Sequence, residues 1–383
     1  MADSDSKIER RKVEHVNLSL AHDISAPQAA SWADIRLVHR ALPEVDLDAI
    51  DLATDYLGKR LRHPIFVSSL TGGHPDVAII NERLATIAQE YGLAMGVGSQ
   101  RAALVTPELA ATYRIARERA PDAFLLANVG APQLIPQGTK PAFTVDDARA
   151  AVTMIGADAL IIHLNFLQEA AQPEGDRKAR GALAALQALA GQVGVPLIGK
   201  ETGASVSYEA AADLAAAGVA AIDVGGAGGS SMAALEAQRA AAHGDQRAGA
   251  IGALYRDWGV PTPIAVVETR AAVPALPVTA TGGVRSGLDA ARALALGATL
   301  VGVGFPFLKA AAESEDAVRA FLDQFLTELR VAMQLIGAAD ISALRHVPVI
   351  VTGATRDWLE LRGFGQTLQE MAQRRMRTSA QDS

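Results

Sequence analysis

Residues 278–304 read VTATGGVRSGLDAARALALGATLVGVG. An apolar run (Val278–Thr281) turns through Gly282 and Gly283, continues as an Ala- and Leu-rich helical segment (Gly287–Leu296), and returns as a second apolar run (Leu300–Gly304). Short apolar runs bounded by turn residues mark buried strands, so the stretch predicts a strand–helix–strand unit. The same alternation spreads outward from it. Apolar runs recur at Pro64–Ser69, Leu93–Gly98, Phe124–Val129, Ala159–Leu164, Val195–Lys200 and Ala220–Val224, which with the first two makes eight. Helical segments lie between them at Pro75–Tyr91, Pro107–Ala120, Val145–Ile155, Ala179–Gln192, Tyr208–Ala217 and Met232–Ala242. Alternating strand and helix implies a parallel sheet with right-handed crossovers. Eight repeats predict closure into a (β/α)₈ TIM barrel, with an open doubly wound sheet as the alternative.

The expected organisation is an N-terminal extension over 1–62 that contributes substrate contacts, a barrel over 63–340, and a C-terminal segment with a polar tail over 341–383. Glu315–Ile336 has the pattern of an amphipathic closing helix, and the chain after Glu370 reads as a frayed polar tail. The connection 242–263 (AHGDQRAGAIGALYRDWGVPTP) reads as irregular, and connections of that length are usually lids or partner contacts.

Half of the 383 residues are hydrophobic, enough for a large core. With 35 basic and 42 acidic residues the formal charge is −7, which argues against a general nucleic-acid binder; any anion site must be a local basic cluster. The absence of cysteine excludes disulfides, thiolate metal sites, iron–sulfur clusters and a cysteine nucleophile. No signal-peptide core and no run of membrane-spanning length is found, so a soluble cytoplasmic protein is expected.

In a barrel of this kind, residues at the carboxyl ends of the strands line the active site. Those ends carry Thr71-Gly72-Gly73, Ser99-Gln100-Arg101, Asn128, His163 with Asn165, Lys200-Glu201, Gly225-Gly226 through Ser230, Thr281-Gly282-Gly283 with Arg285, and Gly302 with Gly304. The richest is ALIIHLNFLQEAAQPEGDR (159–177). His163, Asn165, Gln168 and Glu169 supply an imidazole, two amides and a carboxylate within seven residues. Such a set binds a polar ligand and holds a metal; the alternative is a strand end that only caps a loop. Gly282 and Gly283 precede a helix, so bare backbone N–H groups there can face an anion. Together with GGAGGS (225–230) they read as a site for a phosphate-bearing cofactor, or as tight turns alone. Lys200 reads as a Schiff-base lysine, a charge partner for an anionic cofactor, or a snorkelling residue, with Glu201 keeping it protonated. Arg11, Lys12 and Arg101 are the other cations near the expected mouth, and Arg pairs bidentately with phosphate oxygens.

These residues, taken in order, resemble the type 2 isopentenyl-diphosphate isomerase family of flavoenzymes. The motifs are RKVEH (11–15), LTGG (70–73), GVGSQR (96–101), NVGAPQL (128–134), HLNFLQE with QPEG (163–175), KETG (200–203), WGVPT (258–262) and TGGVRSGLDAARALALGA (281–298). The resemblance runs from about residue 10 to about residue 365. It implies an FMN-dependent barrel that needs reduced flavin, NADPH or another reductant, and Mg²⁺, and that interconverts isopentenyl and dimethylallyl diphosphates. Flavin contacts carry over to Leu70, Thr71, Gly72, Ser99, Asn128, Lys200, Ser230, Gly283, Val284, Arg285, Gly304 and Phe305. Diphosphate contacts carry over to Arg11, Lys12, Ser99, Gln100, Arg101 and Gln168, and the Mg²⁺ ligand to Glu169. Gln168, His163, Asn165 and Lys200 become the expected catalytic set, and a homo-oligomer (tetramer or octamer) is implied.

The chain departs from the family pattern at Leu70, at Ser230 through Met232, and at KETGAS. Isomerisation moves a double bond without net electron transfer, so the flavin is expected to act as an acid–base group. Barrels that oxidise 2-hydroxy acids with FMN share the glycine turns and the lysine. They need a His–Arg pair, however, where this chain has Glu268-Thr269-Arg270. A non-catalytic phosphate-ligand barrel is the remaining alternative.

Overall fold

The computed structural model describes residues 2–26 and 31–374, with the backbone alone for residues 2–10. Eight strands, β1 (Ile65–Val67), β2 (Ala94–Gly96), β3 (Phe124–Gly130), β4 (Ala159–Leu164), β5 (Leu197–Glu201), β6 (Ala221–Asp223), β7 (Val278–Thr281) and β8 (Leu300–Val303), form a closed barrel. Every pairing is parallel, and β8 closes onto β1 through Val301↔Ile65 and Val303↔Val67. The closed sheet leaves no edge, so the (β/α)₈ reading holds and the open-sheet alternative falls.

Apolar strand positions divide between two environments. Outward residues such as Ile65, Leu125, Leu160 and Ile162 pack under the helices in the main core. Inward residues Phe66, Phe124, Leu126, Ile161, Ile198 and Leu300 fill the lower barrel together with Tyr56 and Leu61. Those last two come from a hairpin, Thr54–Tyr56 with Lys59–Leu61, that plugs the N-terminal end; Tyr56 meets the Phe124 ring edge-on at 5.7 Å. The apolar plug leaves only the carboxyl end of the barrel open to polar side chains.

The flanking segments are knitted together. Ile35–Leu37 pairs antiparallel with Val349–Val351, and Asp34 accepts a hydrogen bond from the Thr355 N–H at the start of helix Gly353–Leu361. The expected polar tail begins later than Glu370, because helix Gly365–Ala372 runs past it with Met371 buried. Residues 375–383 of that tail lie outside the described residues.

The 242–263 connection is not irregular throughout. Gln246–Leu254 is a helix capped by the Asp245 carboxylate, and it packs on Met232–Ala242 so closely that a Cβ on Gly252 would sit 2.5 Å from the Ala233 carbonyl oxygen. Alanine-rich surfaces permit that approach, which removes the need for a long free loop. Helix Phe305–Glu313 was also unread in the sequence, because Pro306 at its first turn resembles a break.

Candidate active site

A cavity of about 580 Å³ opens at the carboxyl end of the barrel. Its cover is the N-terminal helix Ala2–Ala21, from which Arg11, Lys12, His15, Val16 and Ser19 face inward. No residue of 243–263 lines it; Arg256 instead donates to the backbone carbonyls of Asp23 and Ser25, tying down the chain that leaves this helix.

The strand ends build the floor. Sheet register sets His163 beside Lys200, Lys200 beside Asp223, and Asp223 beside Thr279, so four polar side chains form one inward row across β4 to β7. Asn128 donates its amide to the Val97 carbonyl and therefore presents Oδ1 to His163 Nδ1 at 2.7 Å. Burial, then the charges of Lys12, Lys200, Arg101 and Arg11, pushes the His163 pKa down to about 3. The ring is neutral at pH 7, with its proton on Nδ1 and Nε2 left as an acceptor.

Lys200 is 4% exposed and its Nζ lies 2.8 Å from Asp223 Oδ2. The two form an ion pair, and Nζ also donates to the Glu201 carbonyl at 3.2 Å. The expected influence of Glu201 on Lys200 is one of charge through space, without a direct carboxylate contact. The Glu201 carboxylate turns away to accept the N–H groups of Thr202, Ala204 and Ser205, and burial pushes its pKa up to about 7. Asp223, 2.8 Å away, is the nearest counter-ion of Lys200.

Two glycine loops interlock beside this row. A Cβ on Gly229 would lie 2.6 Å from the Gly283 nitrogen, and one on Gly283 would lie 2.6 Å from the Gly228 carbonyl oxygen. Gly283 also sits at φ +68°, which L side chains rarely adopt. Ser69, Thr71 and Thr281 place buried hydroxyls without partners in the same part of the molecule. A bare backbone cradle with unpaired hydroxyls is a donor set that fits a phosphate and the polar edge of a flavin.

The expected diphosphate contacts converge from two elements, Arg11 and Lys12 from the N-terminal helix and Arg101 from the start of helix Arg101–Val105. Arg11 donates to Gln172 at 2.9 Å, and Arg101 bonds Asp176 at 2.6 Å, where Gln133 and Lys140 also meet. Lys12 lies between them, and burial, then Arg11 and Arg101, lowers its pKa to about 7. The cavity wall carries five cationic side chains (Arg11, Lys12, Arg101, Lys200 and Arg285) against two carboxylates (Asp23 and Glu169). A chain that is acidic overall is thus locally basic here.

Glu169 is 3% exposed, accepting from Asn165 Nδ2 at 3.1 Å and from the Asp176 N–H at 2.7 Å. Asn165 Oδ1 beside it is buried without a partner. Gly175 makes this turn possible, since a Cβ there would lie 1.8 Å from the Glu169 carbonyl oxygen. Among the described residues no group of three or more acidic or imidazole side chains gathers for a metal. One carboxylate with spare lone pairs and a free amide oxygen fits a hydrated Mg²⁺ shared with substrate phosphates, not a closed protein cage.

Of the residues expected at the site, His163, Asn165, Gln168, Glu169, Lys200, Arg11, Lys12, Arg101, Leu70, Thr71, Ser99, Asn128, Ser230, Gly283, Val284, Arg285, Gly304 and Phe305 line the cavity. Two do not. Gln100 is fully buried and spends its amide on the Ala151 carbonyl and the Asn128 N–H, holding β2 to β3. Gly72 faces the Tyr113 ring, 2.3 Å from where its Cβ would be.

Sequence reading missed Asp223, Asp176, Gln172, Glu236 and Arg239. Glu236 lies 2.9 Å from His15 Nε2 and accepts from Gln168 at 3.0 Å and Gln172 at 2.6 Å. Burial opposes its charge, but the bonds from His15 and Gln168 and the nearby Arg239 hold its pKa down to about 2. The signals available were single acids in apolar surroundings, AIDVG and AALEAQR, each of which reads alone as surface or noise.

The family model for FMN-dependent dehydrogenases matches residues 136–350. The isopentenyl-diphosphate delta-isomerase of Methanosarcina barkeri is 46% identical over 360 residues, covering 94% of this chain and 96% of that protein. That of Archaeoglobus fulgidus is 43% identical over 354 residues, covering 92% of this chain and 99% of the relative. A solved mandelate oxidase mutant with a C4a-OH-FMN adduct shares 22% of its sequence, covers 90% of this chain and 99% of its own, and superposes with a TM-score of 0.59. At that identity the likeness is one of fold.

Proposed function

The chain belongs to the isopentenyl-diphosphate delta-isomerase family, and from that premise we propose that it interconverts isopentenyl and dimethylallyl diphosphates in the cavity at the barrel mouth. The observation that carries this reading is the convergence of Arg11, Lys12 and Arg101 on one side of the cavity, opposite the interlocked glycine loops and Lys200. One half suits a diphosphate and the other a flavin.

Reduced FMN, when bound, supplies an acid–base centre beside the alkene, since isomerisation leaves the oxidation level unchanged. The residues of the chain bind and orient around it. Arg11, Lys12 and Arg101 would hold the diphosphate, with Ser99 a further hydroxyl on the same cavity wall. Glu169 would hold Mg²⁺, which would neutralise charge that would otherwise repel an anionic cofactor. Lys200, charged, offsets that anion from the floor. Gln168 is fixed by Glu236 and Asn165, so its amide is oriented before substrate arrives. Neutral His163, locked by Asn128, offers Nε2 as an acceptor without adding a competing positive charge. Val16, Met232 and Leu235 give the five-carbon chain an apolar wall that excludes water.

NADPH or another reductant brings the flavin to its working level, and the protein acts in the cytoplasm as a homo-oligomer in this reading. Among the described residues no helix is long and apolar enough to cross a membrane. Oxidation of 2-hydroxy acids gains no support from the Glu268-Thr269-Arg270 segment, which faces away from the cavity: Glu268 is 1% exposed and bonds Tyr208, Trp358 and Arg362.

The deciding experiment is anaerobic turnover of isopentenyl diphosphate with FMN, NADPH and Mg²⁺, leaving out one at a time. Activity should need all three, and Glu169→Gln should raise the Mg²⁺ requirement while FMN stays bound. Full activity with oxidised flavin and no reductant overturns the proposal.

A further inference from the structure

We propose that Asp223 is a positioning residue for Lys200, holding its ammonium charged at the cavity floor so that it stabilises the reduced, anionic form of the flavin. The inference rests on the reading that the cavity holds FMN. It concerns a side chain that does not itself line the cavity.

The geometry sets the pair. Lys200 on β5 and Asp223 on β6 are register partners in adjacent parallel strands, so both side chains point into the barrel at one level. Their charged atoms are 2.8 Å apart, and both side chains are at most 5% exposed. Asp223 is fixed from the other side by the Gly225 N–H, which donates to Oδ1 at 3.1 Å. Its neighbour in register on β7, Thr279, is hydrogen-bonded to the Tyr56 hydroxyl of the hairpin plug. The pair therefore stands directly above the apolar lower barrel, with Lys200 lining the cavity floor and Asp223 beneath it.

A lysine in that setting without a counter-ion would shed its proton, because burial disfavours the ammonium. The other groups around Lys200 are less well placed as counter-ions, Glu201 acting on it only through space. Glu201 is turned into its own loop by three backbone N–H groups, and His163 is neutral. As a source of stability such a buried pair is weak, since desolvation of both ions offsets most of their attraction. What the pair does secure is a cation whose position is fixed. The ammonium donates to the Glu201 carbonyl and pairs with Asp223, so of its three N–H groups one is left for a ligand in the cavity.

The test uses the full chain reconstituted with FMN, comparing wild type, Asp223→Asn, Lys200→Met and the double variant. The readouts are the midpoint potential of bound flavin by spectroelectrochemical titration and the affinities for oxidised and reduced FMN. Asp223→Asn should lower the preference for reduced over oxidised FMN about tenfold, a fall of about 30 mV for a two-electron couple. Lys200→Met should shift it in the same direction, and the double variant should go no further than Lys200→Met, because Asp223 acts only through the ammonium that Lys200→Met already removes. Asp223→Glu should recover part of the shift. If the amide variant does not fold, Asp223→Ser, which admits water, takes its place with the same expectation. An unchanged or raised potential in the Asp223 variant, or shifts that add in the double variant, overturns the proposal. A wild-type protein that takes up no FMN overturns the site reading and this proposal with it, whereas FMN bound at an unmoved potential overturns this proposal alone.

Discussion

Lys12 shows how one residue acquires its chemistry from its neighbours. On the sequence it is half of an Arg-Lys pair that solvent would ordinarily keep fully charged. In the structure burial and two guanidiniums bring its pKa to about 7, so the free protein holds it only half protonated at neutral pH. A diphosphate binds the cationic form. Affinity is therefore complete below about 7 and falls as pH rises through that value, by up to tenfold per unit. The expected outcome is a KM for isopentenyl diphosphate that climbs between pH 7 and 9 in the wild type. Lys12→Arg, which stays charged throughout, should flatten the profile. A wild-type KM that is level over that range would exclude the assignment.

Elements rather than residues close the cavity. Helix Ala2–Ala21 has no strand beneath it, and what fixes it is a set of polar contacts to helix Met232–Ala242. Arg239 binds Glu14 at 2.9 Å, Glu174 at 2.5 Å and Glu236 at 3.4 Å, joining the N-terminal helix, the QPEG turn and its own helix at one guanidinium. Arg239→Ala would remove the one guanidinium that the three carboxylates share. The helix should loosen while the glycine cradle on the far side is untouched. The expected result is about a tenfold rise in KM, equal to 1.4 kcal/mol, together with faster tryptic cleavage after Arg10 to Lys12. FMN affinity should stay within about twofold. Equal losses of FMN and substrate would mean that the contact supports the barrel, not the cover.

At the scale of the whole molecule, segments distant in sequence hold the barrel ring in place. Glu268, buried on helix Thr262–Ala272, accepts from the Tyr208 N–H, Trp358 Nε1 and Arg362 Nε, so one carboxylate links the helices after β5 and β6 to the C-terminal segment. Glu268→Ala removes the shared acceptor and strands three donors, at a cost of about 3 kcal/mol. Thermal unfolding should move down by about 5 °C. The bound-flavin spectrum and KM should not change, since none of these groups reaches the cavity. An altered flavin spectrum would show that the C-terminal segment is coupled to the site.

The alternation of apolar runs and helical segments was sufficient to determine eight parallel strands with crossover helices, because a parallel strand buried on both faces must be written as a short apolar run; closure into a barrel was decided by the pairing of β8 with β1. The glycine turns and HLNFLQE were legible for a related reason: a tight turn and a polar strand end are each written in adjacent residues. Asp223, Glu236 and Arg239 were not legible, since each is an isolated charge whose partner lies on another element. Nor could Gln100 be told from Ser99 and Arg101 on either side of it, although its side chain turns to the backbone of β3. Strand register and the packing of the N-terminal helix decided those cases. A buried charge takes its protonation and its role from whatever faces it, and what faces it is fixed only when the sheet closes.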